Sequence, residues 1–194
     1  IGMIGDSTGA QTLIELLDNE KLHNASTASL VMIGHFDSLF TGIKHEKPLV
    51  RRGCVTALGR LEDSIANEIL AEAIKDNDPG VRKHAYQAIG RIAHPSDIPL
   101  LTYGLTDEDF EVRFTALKQF SNFTGDVAMR AVITTVNDKS AGIRRLAVEI
   151  LARYPNPAVV PILAKAMEDS DSDVASAAKR SIDHLESLVK GGVV

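Results

Sequence analysis

The residues best equipped to hold a charge in this 194-residue sequence stand in columns. Arg51, Arg82, Arg113 and Arg144 recur every 31 residues, each directly after Val50, Val81, Val112 or Ile143. Asp76, Asp107 and Asp138 precede the last three arginines by six residues. A guanidinium presents a planar fork of donors that fits a carboxylate or a phosphate. Two uses follow: a ladder of charged hydrogen bonds joining successive units, or a row of phosphate sites. An acid built into the same repeat favours the ladder.

The other chemically capable residues are scattered. Cys54, the single cysteine, has the type of a nucleophile or an attachment point. It falls, however, in a column otherwise filled by Ala85, Ala116, Ala147 and Ala178, where a small buried hydrophobe is expected. His23, His35, His84, His94 and His184 lack an adjacent Glu and a helical His-x-x-x-His spacing, and only His45 is followed by one, Glu46. That set gives no metal-ligand constellation. No Walker loop, Gly-x-Ser-x-Gly or Cys-x-x-Cys occurs. No catalytic residue and no metal ligand is assigned.

The elements that position these residues follow from the same period. Four residues after each Val or Ile comes the small column, and eight after comes Leu58, Ile89, Phe120, Leu151 or Ile182. Such spacing is one stripe of an amphipathic helix. A break follows at Glu62-Asp63-Ser64, His94-Pro95-Ser96, Thr124-Gly125-Asp126 and Pro155-Asn156-Pro157. Second apolar runs then centre on Ile69-Leu70, Leu100-Leu101, Val132-Ile133 and Ile162-Leu163, each ending at an aspartate, the last at Asp169. Two residues on, Asp78, Asp109, Ser140 and Asp171 suit a helix N-cap. Each unit is helix, turn, helix, tight turn. The expected fold is all-α: a solenoid, or superhelix, of stacked antiparallel helix pairs, because one pair cannot bury its stripe alone.

The run Asp-x-Asp-Pro-x-Val-Arg-x-x-Ala-x-x-Ala-Ile-Gly, clearest from Asp76 to Gly90, resembles the HEAT-repeat family. The short period is similar to the HEAT-like repeat of the phycobilin lyases. That resemblance implies that the arginine and aspartate columns form an inter-unit ladder. It also implies an alternative role, an accessory subunit that holds a phycobilin non-covalently or docks on phycobiliproteins. If the chain were an enzyme, it would be one of bilin attachment or detachment, yet no catalytic residue of such lyases maps onto it. The His45-Glu46 pair is similar to one of the pairs in deoxyhypusine hydroxylase, a HEAT-repeat enzyme whose two irons need several.

Composition narrows the partners. The net charge is −5, with 44% hydrophobic residues and no basic block. A dedicated nucleic-acid binder carries a basic stripe, so nucleic acid is disfavoured, although a local patch is compatible with these numbers. One Cys permits no internal disulfide and fits a reducing, cytoplasmic compartment. No 18-residue apolar run suggests a membrane span.

The expected layout is a single repeat domain over 1–194: a partial repeat at 1–20, an irregular one at 21–47, regular repeats at 48–77, 78–108, 109–139 and 140–171, and a capping helix at 172–190. Ile1 to Asp6 aligns with Leu58 to Asp63, in mid-repeat, which suggests a fragment of a longer protein. Ile33-Gly34 stands 25 residues before Leu58-Gly59, six short of the period, so His35 to Lys47 has room for little more than two helical turns.

The function expected from these features is protein binding by a non-catalytic scaffold without cofactor. Its partner would lie on the concave face formed by the second helices, with Glu68, Glu72, Thr102, Arg130, Thr134 and Lys165 exposed there. The compressed stretch adds His35, Phe36, Phe40 and His45 as candidate binding residues, at a step in that surface.

Overall fold

The computed structural model describes residues 7–63 and 65–190, and among these every regular element is helical. The alignment of Ile1 to Asp6, Ser64 and the Gly191-Gly192 stop lie outside the described residues. The chain divides into two compact units, residues 1–100 and 101–194.

In the first unit, α1 (Ser7–Leu16), α3 (Phe36–Gly42) and α5 (Ile65–Ala73) are the second helices, and α2 (His23–Ile33), α4 (Pro48–Leu61) and α6 (Pro79–Ile92) the first helices. Helix α7 (Ile98–Gly104) contains the boundary. The second unit continues with α8 (Phe110–Gln119), α9 (Asp126–Ile133), α10 (Ala141–Leu151), α11 (Val160–Ala166) and α12 (Ser172–Lys190). Helix α3 is seven residues long, the two turns expected of the compressed stretch.

Both apolar columns are core except at Ile182, which is half-buried on the last helix. Cys54, Ala85, Ala116, Ala147 and Ala178 are fully buried, as are Leu58, Ile89, Phe120 and Leu151. Small side chains allow close approach. A Cβ on Gly59 would stand 2.4 Å from that of Ala88, so α4 and α6 nearly touch backbone to backbone. The Cys54 sulfur presses on Gly42 of α3, and burial pushes its thiol up to about 12. At that value the group is an inert hydrophobe rather than a nucleophile.

The tight turns repeat one construction. Asp76, Asp107, Asp138 and Asp169 each accept the backbone N–H two residues on through Oδ1, at 2.8–2.9 Å. Asp78, Asp109 and Asp171 then cap the following helices, accepting from Val81, Val112 and Val174. Ser140 departs from expectation: it occupies the N-cap position of α10 without a side-chain cap hydrogen bond. The breaks within units do not share one construction. Helices α4 and α6 end on Glu62 and Ala93 at φ 53°, a left-handed conformation reached without glycine. Helix α8 runs instead into a 3-10 turn, Phe120–Asn122, with the Tyr154 hydroxyl donating to the Phe123 carbonyl at 3.2 Å.

Candidate functional site

The arginine column is a structural ladder, with a pairing the spacing did not indicate. The aspartate six residues earlier supplies its backbone carbonyl: Arg82, Arg113 and Arg144 donate from Nη1 to the carbonyls of Asp76, Asp107 and Asp138 at 2.8, 2.8 and 3.0 Å. The carboxylate comes from 25 residues ahead. Arg51 grips Asp76 through Nε and Nη2, both at 2.7 Å; Arg113 grips Asp138 at 3.0 and 3.4 Å; Arg144 grips Asp169 at 2.7 and 2.8 Å. Each of these three forks ties one tight turn to the next. The hydrogen bond from Arg144 holds the Asp169 carboxyl below its ordinary range, and that to Asp76 raises the Arg51 guanidinium. In all three arginines Nε, Nη1 and Nη2 are each engaged by protein acceptors, as a ladder requires.

The compressed stretch uses its histidines as local caps. His35 accepts from Ser38 N through Nδ1 at 3.2 Å, starting α3, and His45 Nδ1 accepts from Lys47 N at 3.1 Å. Phe36 is half-buried, whereas Phe40 keeps 37% of its surface exposed. The Lys44 ammonium lies 3.9 Å from the Phe40 ring centroid and 3.6 Å from a Glu72 oxygen on α5. Two of the expected residues, Phe40 and Glu72, thus meet through a lysine that sequence reading passed over.

Among the remaining candidates, Glu68 on α5, Arg130 on α9, Thr134 just beyond α9 and Lys165 on α11 are exposed, and Thr102 on α7 is half-buried. One of them lines a groove. Between the ends of α9 and α11 lies a cavity of about 480 Å³, bounded by Ile133, Val136, Asn137, Pro161, Ile162, Lys165, Ala166, Glu168 and Asp169. Its size is within the range of ligand pockets. Half-buried Ile133, Val136, Ile162 and Ala166 give it an apolar floor. Exposed Asn137, Lys165 and Glu168 rim it, offering an amide, a cation and an anion. The apolar pattern places Ile133 and Ile162 in second-helix runs, and only packing leaves them half-exposed at these helix ends. No group of His, Cys, Asp or Glu among the described residues is arranged to hold a metal ion, and none of their helices is long and apolar enough to cross a membrane.

The comparisons agree with this architecture. The family described as HEAT repeats matches residues 36–121. A crystal structure of an engineered protein from the Northeast Structural Genomics Consortium superposes with a TM-score of 0.60 at 19% identity, covering 93% of this chain and 90% of that one. The complex of CpcE and CpcF of phycocyanin lyase from Nostoc sp. PCC7120 gives a TM-score of 0.63 at 20% identity; it covers 77% of this chain, which spans 64% of that one. A designed armadillo repeat protein in complex with peptide (KR)4 gives 0.58 at 15% identity, covering 91% and 99%. No curated protein sequence matches the chain. The fold is an armadillo/HEAT-type α-solenoid. Within that class, the stretch 36–121 is similar to HEAT repeats.

Proposed function

We propose that this chain is a non-catalytic interaction scaffold, and that its second helices receive a segment of another protein, seated first in the groove between α9 and α11. The observation that carries this reading is the groove's composition. An apolar floor takes a partner's side chain, while Asn137, Lys165 and Glu168 can meet its main chain and flanking charges. Repeat solenoids are suited to such partners because consecutive units present consecutive, similar positions. Selecting a random peptide library on the protein, then measuring the selected peptides against Ile162→Asp, tests it. The selected peptides should lose binding at least about tenfold, the loss of one well-packed apolar anchor. Undiminished binding to Ile162→Asp would remove the groove as the seat. The bilin alternative rests on resemblance in fold; an unchanged visible spectrum of phycocyanobilin mixed with the protein would remove it.

A further inference from the structure

The charges carried by the second helices differ between the two units. In the first unit they are all acidic: Glu15 on α1, Asp37 on α3, and Glu68 and Glu72 on α5. Helix α7 carries no charge, α9 carries Asp126 and Arg130, and α11 carries Lys165 alone. Asp126 opens α9, at the end opposite the groove, and accepts from the Asn156 amide at 3.2 Å. Two exposed cations thus stand on the second helices of a chain whose net charge is −5.

Their placement follows the groove. Residues three apart on a helix are surface neighbours. Arg130 stands three residues before Ile133 on α9, and Lys165 three after Ile162 on α11; both isoleucines belong to the apolar floor. Helices α9 and α11 hold the same place in successive 31-residue repeats, so Arg130 is level with Pro161 and Lys165 with Thr134. One cation therefore flanks the floor from each helix, about 6 Å apart along the helix direction. Neither has an ion pair among the described residues, whereas Arg145 on α10 pairs with Glu149 at 3.8 Å. Glu168, three residues beyond Lys165, is exposed and makes no ion pair with it, and Asp169 is held in the Arg144 fork. An apolar floor with an unpaired cation at each side complements an aliphatic side chain flanked by carboxylates.

We propose that the occupant of this groove is an acidic segment of another protein. Its aliphatic side chain rests on Ile133, Val136 and Ile162, and carboxylates on either flank meet Arg130 and Lys165. The inference rests on the groove being the partner's seat and adds the partner's charge. Glu168 disfavours an acid beyond Lys165, so the carboxylates lie close to the anchor. Ion pairs formed here are exposed; they select among partners and weaken with salt, while the apolar anchor supplies the larger part of the affinity.

The test is an NMR titration with three capped hexapeptides: Ser-Glu-Leu-Ile-Glu-Ser, the same with lysine at both Glu positions, and the same with glutamine there. Amide signals of residues 126–137 and 160–169 should respond to the glutamate peptide. It should bind at least about tenfold tighter than the lysine peptide, two exposed attractions being replaced by two repulsions. Arg130→Gln and Lys165→Gln, both at exposed positions, should each weaken the glutamate peptide about threefold. Glu168→Gln should not weaken it, and Arg130→Glu with Lys165→Glu should reverse the preference. Raising salt from about 20 to about 300 mM should narrow the gap between the peptides. Ile162→Asn alters the floor without adding charge. If it leaves binding unchanged, the groove is not the seat, and both readings fall. If it weakens all three peptides while the lysine peptide binds as well as the glutamate one, the groove stands and the acidic partner is overturned. No binding of the glutamate peptide at about 1 mM overturns the acidic partner too.

Discussion

The tight turns and the compressed stretch solve the same problem in opposite ways. Each must join a second helix to the next first helix. At Asp76, Asp138 and Asp169 one carboxylate shapes the turn through Oδ1 and receives an arginine fork from 25 residues earlier. The ion pair between Arg113 and Asp138 is nearly dry, with side chains 5% and 10% exposed. At 35–47 the carbonyls of His45 and Glu46 accept from Arg51 as in the tight turns, but histidine caps and an exposed pair, Lys47 with Asp18 at 2.7 Å, stand in for the aspartate and its fork. Repetition therefore concentrates stability at a few shared positions. Where the repeat is broken, the ion pairs are exposed, and side chains such as Phe40 face outward.

The sharpest way to break this comparison is to empty one fork. Arg113→Ala leaves Asp138 and the carbonyls of Asp107 and Glu108 without their charged donor, and should cost about 3–5 kcal/mol in a denaturant melt. Peptide binding to the folded fraction should be unchanged. Lys47→Ala, which breaks the exposed pair, should cost under about 1 kcal/mol. Equal losses from the two variants would erase the distinction between dry and wet turns.

Overpacking comes next in size. Ala116 is fully buried in the small column of α8, so Ala116→Leu should destabilise by roughly 1–3 kcal/mol, read as a lower melting temperature. A melt like that of the unsubstituted protein would show that the column tolerates volume and is not where first helices pack closely.

Phe40→Ala should change stability by about 1 kcal/mol or less, since it removes a half-exposed ring and its contact with Lys44. If this ring belongs to the partner surface, binding of selected peptides should fall before stability does. A large stability loss would place it with the core instead.

The smallest effect concerns acid. Arg144 depresses the Asp169 pKa from its ordinary value of 3.8. A carboxylate lowered in the folded state contributes stability that is fully present above the unfolded value and lost as pH falls through the folded one. Melts taken from about pH 5 down to about pH 2 should therefore lose stability less steeply in Arg144→Gln than in the unsubstituted protein. Parallel slopes would show that this pair carries no acid-linked stability.

Sequence alone determined the period, the all-helical class, the two apolar columns and the aspartates that end each unit. These are local facts: helical spacing, N-cap chemistry and Asp-x-Asp turns act within a few residues, so a pattern exposes them. Counting residues also confined a second helix of little more than two turns to 35–47, where the structure has Phe36–Gly42. Tertiary structure decided which aspartate each arginine grips, because a fork spanning 25 residues depends on how helix pairs stack. The same holds for the groove between α9 and α11, whose lining residues are apolar in any reading and differ only in how far they are covered. Packing alone also leaves the Arg52 Nε buried without an acceptor among the described residues.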